Sequence, residues 1–417
     1  MRFAAWLGLC GCHPEAGLAP GACRTDAQCS QGTCVDGRCQ RTAPSPAVEA
    51  STAPPEQVHA AEPEPPRYEG PTEPPQQQWS VETGAVVYAR PTLAKGPQDV
   101  EIAYVGNHAG HFMGVVVEGP DAGKVTLDLY VDGIIWSTAV ADDRGWLYFG
   151  ADDDRLYAVD PAASAIAWSR RLGECEPPRA PGPEGVRCDV DGGPSLGPDG
   201  DLYVGADGLY RVSRNGDVRW HYPPAEAGPA AHVATTPLVT EEGVVFGSYA
   251  RMVTALDHEG TLRWEVELRA DVDGSPVRGR DGTIYVGSDD GSLHALTPEG
   301  TVAWSYDVGA EVRSQPVVAP DGAIVFGSHD GNLYTLEPSG SLRWVMPTHG
   351  AIHAPATIDS AARIYVGSRD EHLYAVDLEG HVYWNLEFPE QIDSGVTVAR
   401  GGTLVVGCDD GVLRGLR

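Results

Sequence analysis

The side chains best suited to chemistry recur at one point of a repeating unit. Trp136 stands fourteen residues before Gly150, and the same offset from the matching glycines of later units finds Asp191, Val233, Asp273, Arg313, His353 and Asp393, with Tyr88 in that place in the first unit. Aromatic rings, carboxylates, a guanidinium and an imidazole at one register position form a surface suited to holding a ligand or peptide, because each offers a different kind of contact. The signal is divergence at a fixed point of otherwise uniform repeats; an unselected, solvated rim is the competing reading. The Asp-Gly turns form a second set, namely Asp289-Asp290-Gly291, Asp330-Gly331, Asp409-Asp410-Gly411 and the variant Asp152-Asp153-Asp154. Their oxygens could ligate calcium. A tight hairpin turn asks for the same residues, since its positions favour positive φ, and the turn reading is preferred. His108 and His111 form a His-x-x-His pair without helical context or a third ligand, which is weak evidence for metal. No acid, base and cofactor set is assembled, and no catalytic, cofactor-binding or metal residue is assigned.

These residues need a frame, and the sequence supplies one written eight times. Ile284 to Trp304 aligns without a gap on Ile324 to Trp344 and on Ile364 to Trp384, a period of 40 residues. The glycine of each unit is Gly106, Gly150, Gly205, Gly247, Gly287, Gly327, Gly367 and Gly407. Such periods mark solenoids, propellers or arrays. Turn residues divide each unit into four short strands; in the sixth these fall at Ser314 to Ala319, Ala323 to Ser328, Asn332 to Leu336 and Ser341 to Met346. Ile324, Val325 and Phe326 are apolar in succession, which implies burial on both sheet faces, as in blades stacked around an axis. The expected fold is therefore all-β, an eight-bladed β-propeller of four-stranded antiparallel blades. Trp168, Trp220, Trp264, Trp304, Trp344 and Trp384 mark the fourth strand, with Leu127 in the first unit, and their spacing makes them core residues. The eighth unit stops at Arg417 after three strands, and Trp79 to Ala85 aligns with Trp304 to Ala310, so the N-terminal strand is expected to close the ring.

Ala255 to Trp264 and Ala375 to Trp384 resemble the tryptophan-docking repeat of the eight-bladed quinoprotein-like (PQQ-like) propellers. That superfamily includes pyrroloquinoline-quinone dehydrogenases and the propeller lipoprotein of the outer-membrane β-barrel assembly machinery. The repeat here is one residue shorter than the family pattern in all but Ala158 to Trp168, which is similar to the non-enzymatic members. The quinone enzymes use two adjacent cysteines and a calcium site; the propeller region has no adjacent cysteines, and no cofactor is expected. The resemblance implies a non-enzymatic scaffold that binds protein partners in the bacterial cell envelope (periplasm or outer membrane), with a monomeric propeller. A PQQ-dependent oxidoreductase is the alternative, and a hydrolase or lyase using Asp191, Asp273 or Asp393 with His353 is a third.

Ahead of the repeats the composition changes three times. Residues 1–11 resemble a bacterial lipoprotein signal, with Leu9-Cys10-Gly11-Cys12 as lipobox and Cys12 as the lipidated residue. Residues 12–40 form a Cys-rich segment in which Cys23, Cys29, Cys34 and Cys39 suit two disulfides of open pairing; their gaps of five, four and four residues lie at or beyond the long end of the usual C-x2–4-C zinc-ligand spacing, and zinc is the lesser reading. Residues 41–78 hold ten prolines and almost no aliphatic side chains, a composition that stays extended and disordered as a linker to the propeller at 79–417. Cys175 and Cys188 bracket the largest insertion in the ring and are expected to pair, leaving Cys408 free. With 29 basic against 59 acidic residues the net charge is −30, which repels phosphate backbones and anionic headgroups. Nucleic acid is thereby excluded as a partner, and the membrane is reached only through a lipid anchor.

Overall fold

A computed structural model describes residues 68–173, 189–222 and 232–417, together with the backbone of two short strands near the N-terminus. The chain divides into two units, Met1–Gln57 and Val58–Arg417. In the first, Thr33–Val35 pairs antiparallel with Arg38–Gln40, with Cys34 opposite Cys39. Cys12, Cys23, Cys29, Cys175 and Cys188 lie outside the described residues, as do the side chains of Cys34 and Cys39. Among the described residues, no helix is long and apolar enough to cross a membrane.

The second unit is a ring of eight four-stranded antiparallel sheets. The sixth blade is representative, with strands Val317–Val318, Ile324–Gly327, Asn332–Leu336 and Leu342–Pro347 running outward from the axis. Its second strand is fully buried at Ile324, Val325 and Phe326, as consecutive apolar residues require when both faces meet neighbouring blades. The innermost strand is much shorter than its sequence suggests. Pro316 has no N–H to give the ladder, and the Ser314 hydroxyl takes over by accepting from Gly327 N at 2.8 Å and donating to Gly327 O at 2.9 Å. The residues ahead of Val317 therefore run extended along the channel wall, clipped by a side chain.

The repeated glycine exists because the next blade's lead-in presses against it. A Cβ on Gly327 would stand 2.1 Å from Ile352 Cγ2, and one on Gly407 would stand 2.3 Å from Val87 Cγ1. The second contact joins blade 8 to blade 1. Outside this wedge each tryptophan of a fourth strand docks on the next blade: Trp304 Nε1 donates to Pro338 O at 3.0 Å, and its ring covers Gly340.

Blade 8 consists of Thr397–Val398, Leu404–Val406 and Val412–Leu416, completed by Gln77–Glu82 from the other end of the unit. The N-terminal strand carries the same bulge as every other fourth strand, between Gln77 and Trp79, and Trp79 Nε1 donates to Val117 O of blade 1 at 2.8 Å. The linker expectation needs correction at its last residues. Tyr68 to Gln78 belong to the ring, because blade 8 lacks the covalent turn on which Trp384 would dock and this segment replaces it. Pro71 O accepts from Trp384 Nε1 at 3.3 Å, Ser360 N donates to Tyr68 O, and Gln76 and Arg417 exchange backbone bonds of 2.8 and 2.9 Å.

Candidate functional site

Each blade begins with an extended lead-in whose alternate side chains face the channel, and the turn between its second and third strands reaches the same opening. Backbone bonds tie the two together, as in Asp289 N to Asp271 O at 2.9 Å and Arg369 N to Ala351 O at 2.9 Å. The mouth is therefore built from two interleaved sets. Tyr88, Trp136, Asp191, Asp273, Arg313, His353 and Asp393 come from the lead-ins, and His108, Asp152, Tyr249, Asp289, His329, Arg369 and Asp409 from the turns. Of the second set, the sequence offers His108, Asp152, Asp289 and Asp409 only as turn or metal candidates and leaves Tyr249, His329 and Arg369 unmarked, because a turn motif hides which of its residues faces inward.

One position of the lead-in ring differs from expectation. Val233 is fully buried in the core against Gly205, and Ala234 occupies the channel position of blade 4. The hairpin joining the first two strands of that blade is one residue shorter than in the blade that follows, so counting back from Gly247 slips by one, and a one-residue slip exchanges the two faces of an extended chain.

Aromatic groups crowd one arc of the mouth. Tyr88 reaches past blade 8 to hydrogen-bond His353 Nδ1 and meets Trp136 edge-on at 5.1 Å. His108 packs on Trp136 at 4.0 Å, and His329 on His353 at 4.8 Å. The two arginines are held by carboxylates: Arg313 binds Asp289 through two bonds of 2.9 and 2.8 Å, and Arg369 binds Asp393 likewise at 2.9 Å each. Such paired bonds fix the guanidinium planes. On another arc Trp136 Nε1 donates to Asp152 at 3.1 Å, Asp152 shares a hydrogen bond with Asp191, and Asp191 meets His232 at 3.1 Å.

Burial sets the protonation of this mouth. It raises Asp273 to about 6 against the pull of Arg313, and raises Asp409 to about 6 with help from the Asp393 charge. Asp152 is pushed well above the carboxylate range by burial and by the Asp191 charge. His353 falls to about 3, first through burial and then through His329 and the two arginines, so it is neutral at pH 7. Burial also lowers His108 and His329 and raises the Tyr88 hydroxyl. Buried polar atoms here, among them His108 Nε2, His329 Nε2 and Asp409 Oδ1, have no hydrogen-bond partner among the described residues.

The Asp-Gly turns take the geometry of turns. Gly291, Gly331 and Gly411 have φ of 88°, 84° and 78°, and Asp290, Asp330 and Asp410 each accept the N–H two residues on at 3.0 Å. His111 faces Asp128 at 2.7 Å on the outer strand, apart from His108 at the mouth. Cys408 is free and buried, its thiol donating to Glu390 O and Gln391 O at 3.4 Å.

An eight-bladed ring with tryptophan docking between blades and a polar, aromatic channel mouth defines a propeller of the PQQ-like repeat class. Sequence comparison narrows this. The chain belongs to the family described as outer membrane protein assembly factor BamB, whose profile matches residues 152–278, 249–345 and 329–417. No curated protein matches it in sequence. Among solved structures, BamB from Moraxella catarrhalis is similar at 18% identity and a TM-score of 0.62, over 82% of this chain and 97% of that one. The computationally designed Ika8 protein is similar at 13% identity and a TM-score of 0.65, over 82% and 99%. The WD40 propeller domain of Doa1 is similar at 15% and 0.53, over 82% and 97%. At these identities the likeness is one of fold.

Proposed function

We propose that this protein is a non-enzymatic scaffold of a bacterial cell envelope, tethered to a membrane by a lipid on Cys12 and holding a protein partner at the channel mouth. Family membership supports an assembly role. The observation that carries the binding site is the set of unpartnered buried atoms on His108, His329 and Asp409, set among aromatic rings and locked arginines. Buried polar groups in folded proteins are nearly always satisfied, so such groups beside an opening are ones a partner's backbone or side chains would complete. The rings supply rigid contact area at small entropic cost, as at interface anchors. A disulfide between Cys175 and Cys188 would stiffen the insertion of blade 3.

A photo-crosslinking residue in place of Ala234, which is small and faces the channel, is expected to capture a discrete partner in intact envelopes, whereas the same residue in place of Val345 on the outer strand is not. Trp136→Ala should then weaken the captured partner by about 1–3 kcal/mol with the fold intact. Equal capture from both positions would move the interface away from the mouth.

A further inference from the structure

One turn further into the channel, two residues beyond each mouth residue, lies a second ring with a single charge in it. Arg90 occupies blade 1, and the other blades place neutral residues there, among them Thr236, Ser275, Pro355 and Gly395. The stem of Arg90 crosses Gly395 and Pro355; a Cβ on Gly395 would lie 3.1 Å from Arg90 Cγ, Arg90 Cδ and Pro355 Cγ. The absent side chain at 395 is thus the space the arginine fills. We infer that this throat is an oxyanion site, in which the Arg90 guanidinium takes a carboxylate or phosphate-type group through paired N–H···O bonds.

Arg90 differs from Arg313 and Arg369 in having, among the described residues, no salt bridge and no hydrogen bond from its side chain, whereas each of those is locked to an aspartate. Arg90 is half-buried, and desolvation lowers its proton affinity with no neighbouring carboxylate to offset that. A charge so placed is costly unless a counter-charge is supplied. The same ring holds hydroxyls that can donate. Thr236 Oγ1 accepts from Gly193 N at 3.1 Å and Ser275 Oγ accepts from Thr236 N at 2.9 Å, which takes one lone pair of each and leaves each hydroxyl proton without an acceptor among the described residues. At the mouth above, Asp289 and Asp393 are paired with their arginines, while Asp273 and Asp409, raised to about 6, lose their charge as the pH falls below 6, so an anion passes most readily at mildly acidic pH. A planar guanidinium matches a two-oxygen edge, which selects carboxylates and phosphates over spherical halides. Where the oxyanion is the end of a partner chain, the inference rests on the partner reading; where it is a free small anion, it stands without it.

The test titrates the full-length protein at constant ionic strength with inorganic phosphate, with citrate, and with a hexapeptide bearing either a free or an amidated C-terminus, following melting temperature and binding heat. Saturating oxyanion is expected to raise Tm by about 2 °C or more in the wild type, and Arg90→Gln to abolish the shift while melting no lower than the wild type in anion-poor buffer. Arg90→Lys keeps the charge and loses the fork, so its affinity should fall about tenfold or more, which reads the site even if Arg90→Gln does not fold. Binding of the free-acid peptide that amidation removes identifies a chain terminus as the source; a response to phosphate or citrate with none to the peptide identifies a free anion. An unchanged anion response in both Arg90 variants, or no response of the wild type to any of the four, overturns the inference.

Discussion

Replacing Trp79 with Ala should destabilise the propeller far more than the same change in an interior repeat. Trp79 is only 7% exposed, lies in the core shared by blades 8 and 1, covers Gly123 and Gly415, and bonds Val117 O at 2.8 Å. Truncating a buried tryptophan costs about 3–5 kcal/mol. Orphaning the buried Val117 carbonyl adds about 1 kcal/mol, for roughly 4–6 kcal/mol in all, against a typical total stability of about 5–15 kcal/mol. Trp304 makes the homologous bond at a solvent-exposed site, so Trp304→Ala should cost about 1–3 kcal/mol. Urea denaturation followed by circular dichroism in parallel on the two variants provides the comparison. The difference arises because Trp79 sits on the one strand that joins the two ends of the unit, whereas Trp304 is held by covalent neighbours on both sides. Removing residues 68–75 alone strips Pro71 from Trp384 while keeping Trp79, and should fall between the two. Equal losses for Trp79→Ala and Trp304→Ala would refute closure by the N-terminal strand.

Three further outcomes follow from the same geometry. Gly327→Ala should cost about 1–3 kcal/mol by overpacking, and the double variant with Ile352→Ala should be less destabilised than the sum of the single changes, a coupling measurable by a denaturation cycle. Asp273, raised by burial to about 6, contributes stability that is present below about pH 4 and lost as pH rises through 6, while His353, depressed to about 3, contributes stability that is present above about pH 6.5 and lost as pH falls toward 3. Asp273→Asn should therefore gain on the wild type from pH 4 to 7 and His353→Gln from pH 7 to 4, and parallel Tm curves for all three proteins would contradict the assignment. Cys408, buried and raised to about 11, should resist iodoacetamide at pH 8 until the protein is unfolded, as peptide mass spectrometry would show.

The blades were legible because each level of the repeat agrees with the next. Turn residues every few positions, an apolar second strand and a tryptophan at a fixed distance are separate signals of one architecture. The N-terminal strand was legible for the same reason, since Trp79 to Ala85 reads as a fourth strand detached from its unit. The segment Tyr68 to Gln76 was not, because its proline content describes an extended chain equally well whether that chain is free or laid against blade 7. Only the vacancy beside Trp384, a consequence of the broken turn, shows that Pro71 has a place to go.

The mouth was legible only in its first layer, and the physical reason lies in how the frame holds it. The glycine wedge fixes the backbone of each lead-in, with a hydroxyl clip added in blades 2, 4 and 6, so the side chains facing the channel are freer to diverge than those of the core. That freedom made Trp136 and Arg313 visible as departures from the repeat. It also left Arg90 unremarked, because one arginine after a tyrosine carries no pattern until Gly395 and Pro355 are seen beneath it. Counting from the glycine alone placed Val233 in the channel, whereas the clip gives the true register. Ser137, Thr235 and Ser314 each bond both the N–H and the C=O of their blade's glycine, and the residue before each is Trp136, Ala234 and Arg313. A hydroxyl residue clipped to the glycine is thus a better ruler for the channel than the glycine itself, since it measures across the hairpin whose length varies rather than through it.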